Sequence, residues 1–168
     1  MKKVTILLAF IFSLAFIFPI YSNEKKNISN EHEFSFYTGM FDFSDDGQRA
    51  TLVGVQHQNE SLKRKSFLGT LSPITGLIIT ENNSQYFYTG IQAQYKIGKL
   101  NVVPSFAPGL YGKGDGKDLG HVVEFKSEVQ LSFDLFSDSE LGFSYNHISN
   151  ASLGKKNPGA NNYMFNFI

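Results

Sequence analysis

The sequence predicts an all-β protein: an eight-stranded antiparallel transmembrane β-barrel behind a cleaved signal peptide. Three observations carry that prediction. From about residue 33 to the end, short stretches alternate apolar with polar residues. Aromatic residues are abundant, with 17 Phe and 8 Tyr and no Trp. Beyond residue 22, apolar runs never exceed a few residues. In a strand, alternation puts one set of side chains on each face. A membrane barrel turns the apolar set to lipid and packs the polar set inside. A secreted lipocalin-like barrel shares the alternation and is the alternative fold.

The first element is Lys2-Lys3 followed by an apolar run from Val4 to Ile20, in which Thr5 and Ser13 are the only polar residues. A basic start, an apolar middle and a small residue before a polar stretch describe a secretory signal peptide over residues 1–22, cut after Ser22. A retained anchor helix is the other reading, since about 17 residues is the lower limit for spanning. No Cys follows the run, which excludes a lipoprotein. Residues 23–32 read as a polar leader, and residues 33–168 as the barrel.

Turn clusters then divide the chain into eight strand-like stretches. They are Glu33–Phe43, Arg49–Gln58, Arg64–Thr80, Gln85–Ile97, Leu100–Tyr111, Leu119–Phe136, Glu140–Asn150 and Asn161–Ile168. Most supply the roughly 9–11 residues a tilted spanning strand needs. An even number lets the sheet close and satisfies every backbone group in lipid. The sixth stretch is decisive. Val123, Phe125, Val129, Leu131, Phe133 and Leu135 share a face, with Ser127 the exception, while Glu124, Lys126, Glu128, Gln130, Ser132 and Asp134 share the other. The fourth repeats this, with Phe87, Ile91, Ala93, Tyr95 and Ile97 against Gln92, Gln94 and Lys96. The last ends Tyr163-Met164-Phe165-Asn166-Phe167-Ile168, aromatic at alternate positions, as a final membrane strand that also serves as an assembly signal.

Composition narrows the function. The formal charge is zero, and losing Lys2 and Lys3 leaves the mature chain slightly acidic. Nucleic acid is therefore excluded as a partner, because phosphate binding needs a basic surface. With no Cys there is no disulfide, no thiol nucleophile and no Cys-based zinc site. No His/carboxylate cluster suggests a metal, and no cofactor is implied.

On the seventh stretch, His147 and Ser149 are two apart and face the same way, as a base and a nucleophile would. Their face is the apolar one, with Leu141, Phe143 and Tyr145. A His/Ser pair there makes sense if the face meets lipid and the substrate is a lipid. His57 and His121 have no Ser two residues away and read as surface residues. Glu124, Lys126 and Glu128 fall on the interior face and read as a structural pairing. The Gly112 to Asp118 loop has a phosphate-cradle look but no following helix, so no P-loop is supported.

His147-Ile148-Ser149-Asn150-Ala151, then Asn157-Pro158-Gly159 and Asn161, resembles the lipid A 3-O-deacylases of the PagL type. Supporting resemblance extends through Thr75-Gly76-Leu77, Pro104 to Tyr111, and Leu119-Gly120. The resemblance implies an eight-stranded outer-membrane barrel that removes the 3-O-linked acyl chain of lipid A. It implies Ser149 as nucleophile, His147 as general base, and Asn150 and Asn157 near the oxyanion. The family's orienting acid falls at Asn161, where a Glu is expected and an amide stands. Lys155 and Lys156 lie beside this site, better placed than Lys113 and Lys117 to meet lipid A phosphates. The partners implied are lipopolysaccharide and outer-membrane lipids, with a homodimer left open. The rival readings are a non-enzymatic structural or adhesin-like barrel, and a general phospholipid or acyl-ester hydrolase.

Overall fold

The computed structural model describes residues 32–136 and 139–168. The segments predicted as a signal peptide and, before His32, as a polar leader lie outside the described residues. Nine strands form one antiparallel sheet: β1 (His32–Phe41), β2 (Ala50–Asn59), β3 (Arg64–Ser66), β4 (Gly69–Thr80), β5 (Gln85–Ile97), β6 (Leu100–Gly112), β7 (Val123–Phe136), β8 (Ser139–Ser149) and β9 (Ala160–Phe167). Each long strand pairs with its sequence neighbour. The sheet closes through β1 against β9 and β2 against β4. The result is an eight-stranded barrel with one short extra strand, β3, folded back on the start of β4. Closure leaves the eight long strands without an edge, which is the condition for a sheet to stand in hydrocarbon.

Two predicted strands are shorter than their sequence pattern. The third is broken at Phe67-Leu68, where the β3–β4 hairpin turns. The sixth starts at Val123 rather than Leu119. Gly120 takes a left-handed φ of 95°, and Leu119 is driven into the barrel mouth, where it is 1% exposed. A plug with the composition of a strand end is indistinguishable from one by periodicity.

The barrel is apolar outside and mixed inside. Along β7, Val129, Leu131 and Phe133 are exposed while Glu124, Lys126, Glu128, Gln130 and Ser132 are buried. Buried charge needs a partner; Lys126 and Glu128 find one in each other, whereas both Glu124 carboxyl oxygens are buried without a hydrogen-bond partner among the described residues. Lys126 Nζ lies 3.1 Å from Glu128 Oε1 and 4.2 Å from the Tyr88 ring centroid. Asn146 Nδ2 donates to Glu128 Oε2 at 3.2 Å, and Asn162 Nδ2 to Asn146 Oδ1 at 2.7 Å. Beside this chain sits an apolar cluster that includes Phe41, Ile78, Leu119, Ile148 and Met164.

The two ends differ. Ile168 exchanges backbone hydrogen bonds with Glu140 at the end that also carries the start of β1. The opposite end carries the β1–β2 turn, the β4–β5 turn, and the longer β6–β7 and β8–β9 connections. These touch one another: Phe43 N–H donates to Asn161 O at 2.9 Å, and Asp115 N–H to Asn82 O at 2.9 Å. Both residues singled out on β8, His147 and Ser149, are at this end.

Candidate active site

Strand register sets the site. His147 lies between Ser127 of β7 and Asn161 of β9. Ser149 lies across from Phe125. Strand alternation turns both outward, and both are half-buried. Between them Ile148 is fully buried, anchoring the strand from inside.

The imidazole is bonded on one side and closely packed on another. His147 Nδ1 is 2.8 Å from Asn161 Oδ1. An amide oxygen only accepts, so Nδ1 carries the proton and Nε2 keeps its lone pair, the tautomer a general base requires. The amide itself is oriented. Tyr145 donates its hydroxyl to the same oxygen at 2.8 Å, and Asn161 Nδ2 donates to Ser44 Oγ at 2.9 Å. Against the imidazole sits Gly159, at φ 65°. A Cβ there would stand 2.8 Å from His147 Cε1 and 3.1 Å from Nε2. The Asn-Pro-Gly sequence therefore ends in glycine for both backbone and space.

Beyond Ser149 the chain turns sharply, with Ala151 and Ser152 at positive φ (51° and 67°). Asn150, buried, stitches two loops: Nδ2 donates to Leu119 O at 2.7 Å and to Lys156 O at 2.9 Å. Its backbone N–H donates to Asn157 Oδ1 at 3.0 Å. Asn157 is exposed, with its side-chain oxygen occupied by this bond.

The lysines separate by partner. Lys117 is committed to Asp42 and Asp45. Lys156 Nζ is 3.0 Å from Asp118 Oδ2, in the open. That ammonium, and then the Gly120 N–H at 2.8 Å, hold the Asp118 carboxyl below its usual range. Lys113 and Lys155 are exposed at the same end. His57 sits at the other end with its ring nitrogen 2.8 Å from His32, and His121 bonds its own neighbour Val123.

Sequence reasoning missed Ser44, Asp42 and Tyr145. Tyr145 had a signal, since it shares a face with His147 two residues away. Ser44 and Asp42 had none, being brought to Asn161 only by closure of β1 on β9. Asp42 accepts the Asn161 backbone N–H at 3.3 Å. Among the described residues, no group of three or more His, Asp or Glu is placed to hold a metal ion.

Comparison with known proteins adds to this geometry. The family model described as lipid A 3-O-deacylase (PagL) matches residues 43–168. Among solved structures, the crystal structure of the outer membrane enzyme PagL aligns with a TM-score of 0.58 at 16% identity, covering 80% of this chain and 96% of that one. A structure from the de novo design of transmembrane β-barrels aligns at 0.53 and 9% identity, covering 84% and 98%. At such identities both likenesses speak for the fold. No curated protein sequence matches the chain.

Proposed function

The chain belongs to the lipid A 3-O-deacylase (PagL) family, and from that premise we propose an outer-membrane esterase working through Ser149 and His147. The observation that carries it is the 2.8 Å bond from His147 Nδ1 to Asn161, which leaves Nε2 basic on the face that Ser149 shares.

Ser149 Oγ attacks the carbonyl of the ester joining a 3-hydroxyacyl chain to the glucosamine 3-oxygen. His147 Nε2 takes the hydroxyl proton as the bond forms. The tetrahedral intermediate collapses, the sugar oxygen leaves, and Nε2 returns the proton to it. Water, deprotonated by the same nitrogen, attacks the acyl-serine; the bond to Ser149 Oγ breaks, Nε2 returns the proton to that oxygen, and the 3-hydroxy fatty acid leaves. Asn157 Nδ2 donates to the oxyanion, and Asn150 aims it by holding its Oδ1. One such donor contributes roughly 3–4 kcal/mol in sites where it has been removed. Asn161 keeps the tautomer. Exposed Lys155 and Lys156 meet the lipid A phosphates as rim charges, Lys156 while also paired with Asp118.

The site's position supports the reading. It lies on the outer wall, at the end remote from the start of β1 and from Ile168, where an ester of outer-leaflet lipid A is reached from the membrane plane. The test is mass spectrometry of lipid A from a Gram-negative host making this chain or its Ser149→Ala variant. Loss of one 3-hydroxyacyl mass only with the unaltered chain is expected. Intact lipid A with both, from a folded protein, would favour the structural barrel.

A further inference from the structure

The negative charge that position 161 lacks is present two hydrogen bonds away. Asp42 follows β1 directly, is 1% exposed and stands at φ 48°. Three bonds run from the imidazole toward it. His147 Nδ1–H donates to Asn161 Oδ1 at 2.8 Å, Asn161 Nδ2–H to Ser44 Oγ at 2.9 Å, and Ser44 Oγ–H to Asp42 Oδ1 at 3.4 Å. All three donate in one direction, so their dipoles add and end on a carboxylate. Asp42 Oδ1 also takes the Asn161 backbone N–H.

The charge survives its neighbours. Asp42 Oδ2 faces Lys117 Nζ, but that ammonium also meets Asp45 Oδ2 at 3.5 Å. Two carboxylates share one cation, and the cluster stays net negative. The turn is also fixed without the Asp42 side chain. Asp42 N–H donates to Asn162 Oδ1 at 2.8 Å, and Phe43 N–H to Asn161 O at 2.9 Å.

We propose that Asp42 is a positioning residue for the deacylation, acting through Ser44 and Asn161 in place of a carboxylate at position 161. This rests on the His147–Ser149 reading above. No proton moves along the chain of bonds. The imidazolium that forms when Ser149 gives up its proton is stabilised by the polarised amide and by the charge behind it.

The experiment measures release of 3-hydroxy fatty acid from lipopolysaccharide by the full chain folded in detergent micelles. Asp42→Asn, Ser44→Ala, Asp46→Asn and Ser149→Ala are compared with the unaltered chain, and folding is checked by gel mobility. Asp42→Asn and Ser44→Ala are expected to lower kcat about 10–100-fold with KM little changed, short of the ~10⁴ seen when an orienting acid is lost directly. Asp46→Asn removes a charge from the same turn but lies off the chain, and leaves kcat unchanged. In an Asn161→Glu background the carboxylate is direct, so Asp42→Asn loses most of its effect there. Should Asp42→Asn not fold, exposed Ser44→Ala carries the comparison. Undiminished kcat in folded Ser44→Ala, or an Asp42→Asn loss as large in the Asn161→Glu background, overturns the proposal. Activity that survives Ser149→Ala sinks the catalytic reading instead, so the two failures are distinct.

Discussion

Gly159 shows how little slack the site has. A methyl group there would press on the His147 ring at 2.8 Å, on a backbone already at positive φ. Gly159→Ala is expected to lower kcat on the order of 10²-fold, the cost of misplacing a catalytic group by about 1 Å. The barrel should still fold, since Gly159 lies past the end of β8 and before β9. Lipopolysaccharide turnover beside heat-modifiable gel mobility separates the two effects, and an active Gly159→Ala would mean the ring has room to move. Asn161 yields a second expectation at this scale. Asn161→Glu places a charged acceptor within reach of Nδ1 and should raise kcat, whereas Asn161→Ala removes the acceptor and should nearly abolish it. That His147 and Ser149 share a face, and that Asn161 meets His147, was legible in the sequence because two-residue phase and a short motif need only local information. What was illegible came from the far end of the chain. Ser44 reaches Asn161 across 117 residues, and nothing in a turn written Ser-Asp-Asp-Gly announces that contact.

The elements around the site are held as a group by Asn150 and by one exposed ion pair. Leu119, Asp118 and Gly120 belong to the β6–β7 connection; Lys156 and Asn157 belong to the β8–β9 connection. Asp118 ties the two through Lys156 and caps its own turn at Gly120 N–H. Its carboxyl is held below the usual range, by the Lys156 hydrogen bond first. A group with a depressed folded pKa contributes above its unfolded pKa and loses that contribution as pH falls through the folded one. The latch is therefore intact at neutral pH and opens below the ordinary Asp range of about 4. Hydrogen exchange of the Asp118 to Val122 amides should accelerate as pH is lowered past that point, after correction for intrinsic rates. Asp118→Asn should show the faster exchange already at neutral pH. Equal protection in both would mean that Asn150 alone holds the loops. Strand boundaries in the sequence were accurate where a turn cluster intervened, as at Gly98-Lys99. They failed at Leu119, whose burial as a plug depends on the width of the closed barrel.

At the scale of the whole molecule, the sequence pattern is that of a protein whose solvent is lipid on one side and its own polar interior on the other. Inside, Lys126 and Glu128 are both buried and mutually dependent. Lys126→Met leaves Glu128 with only Asn146 and should cost about 3–5 kcal/mol, most of it recovered by adding Glu128→Leu. Outside, Leu131 is 39% exposed on the apolar wall, near the middle of β7 and far from the active end. A soluble barrel would accept a charge there within about 0.5 kcal/mol, as surface positions usually do. A membrane barrel would not: Leu131→Arg should cost about 2–4 kcal/mol if the residue lies at the bilayer midplane, and Phe125→Arg, nearer the loops, should cost less. Both costs are read from urea titrations of the chain folded into phospholipid vesicles, followed by tyrosine fluorescence since no Trp is present. Depth dependence is the discriminating feature, because packing loss alone would not scale with distance from the membrane centre. If Leu131→Arg were neutral in vesicles, the apolar wall would not be facing hydrocarbon, and an ester presented from the membrane plane could not be the substrate of His147 and Ser149.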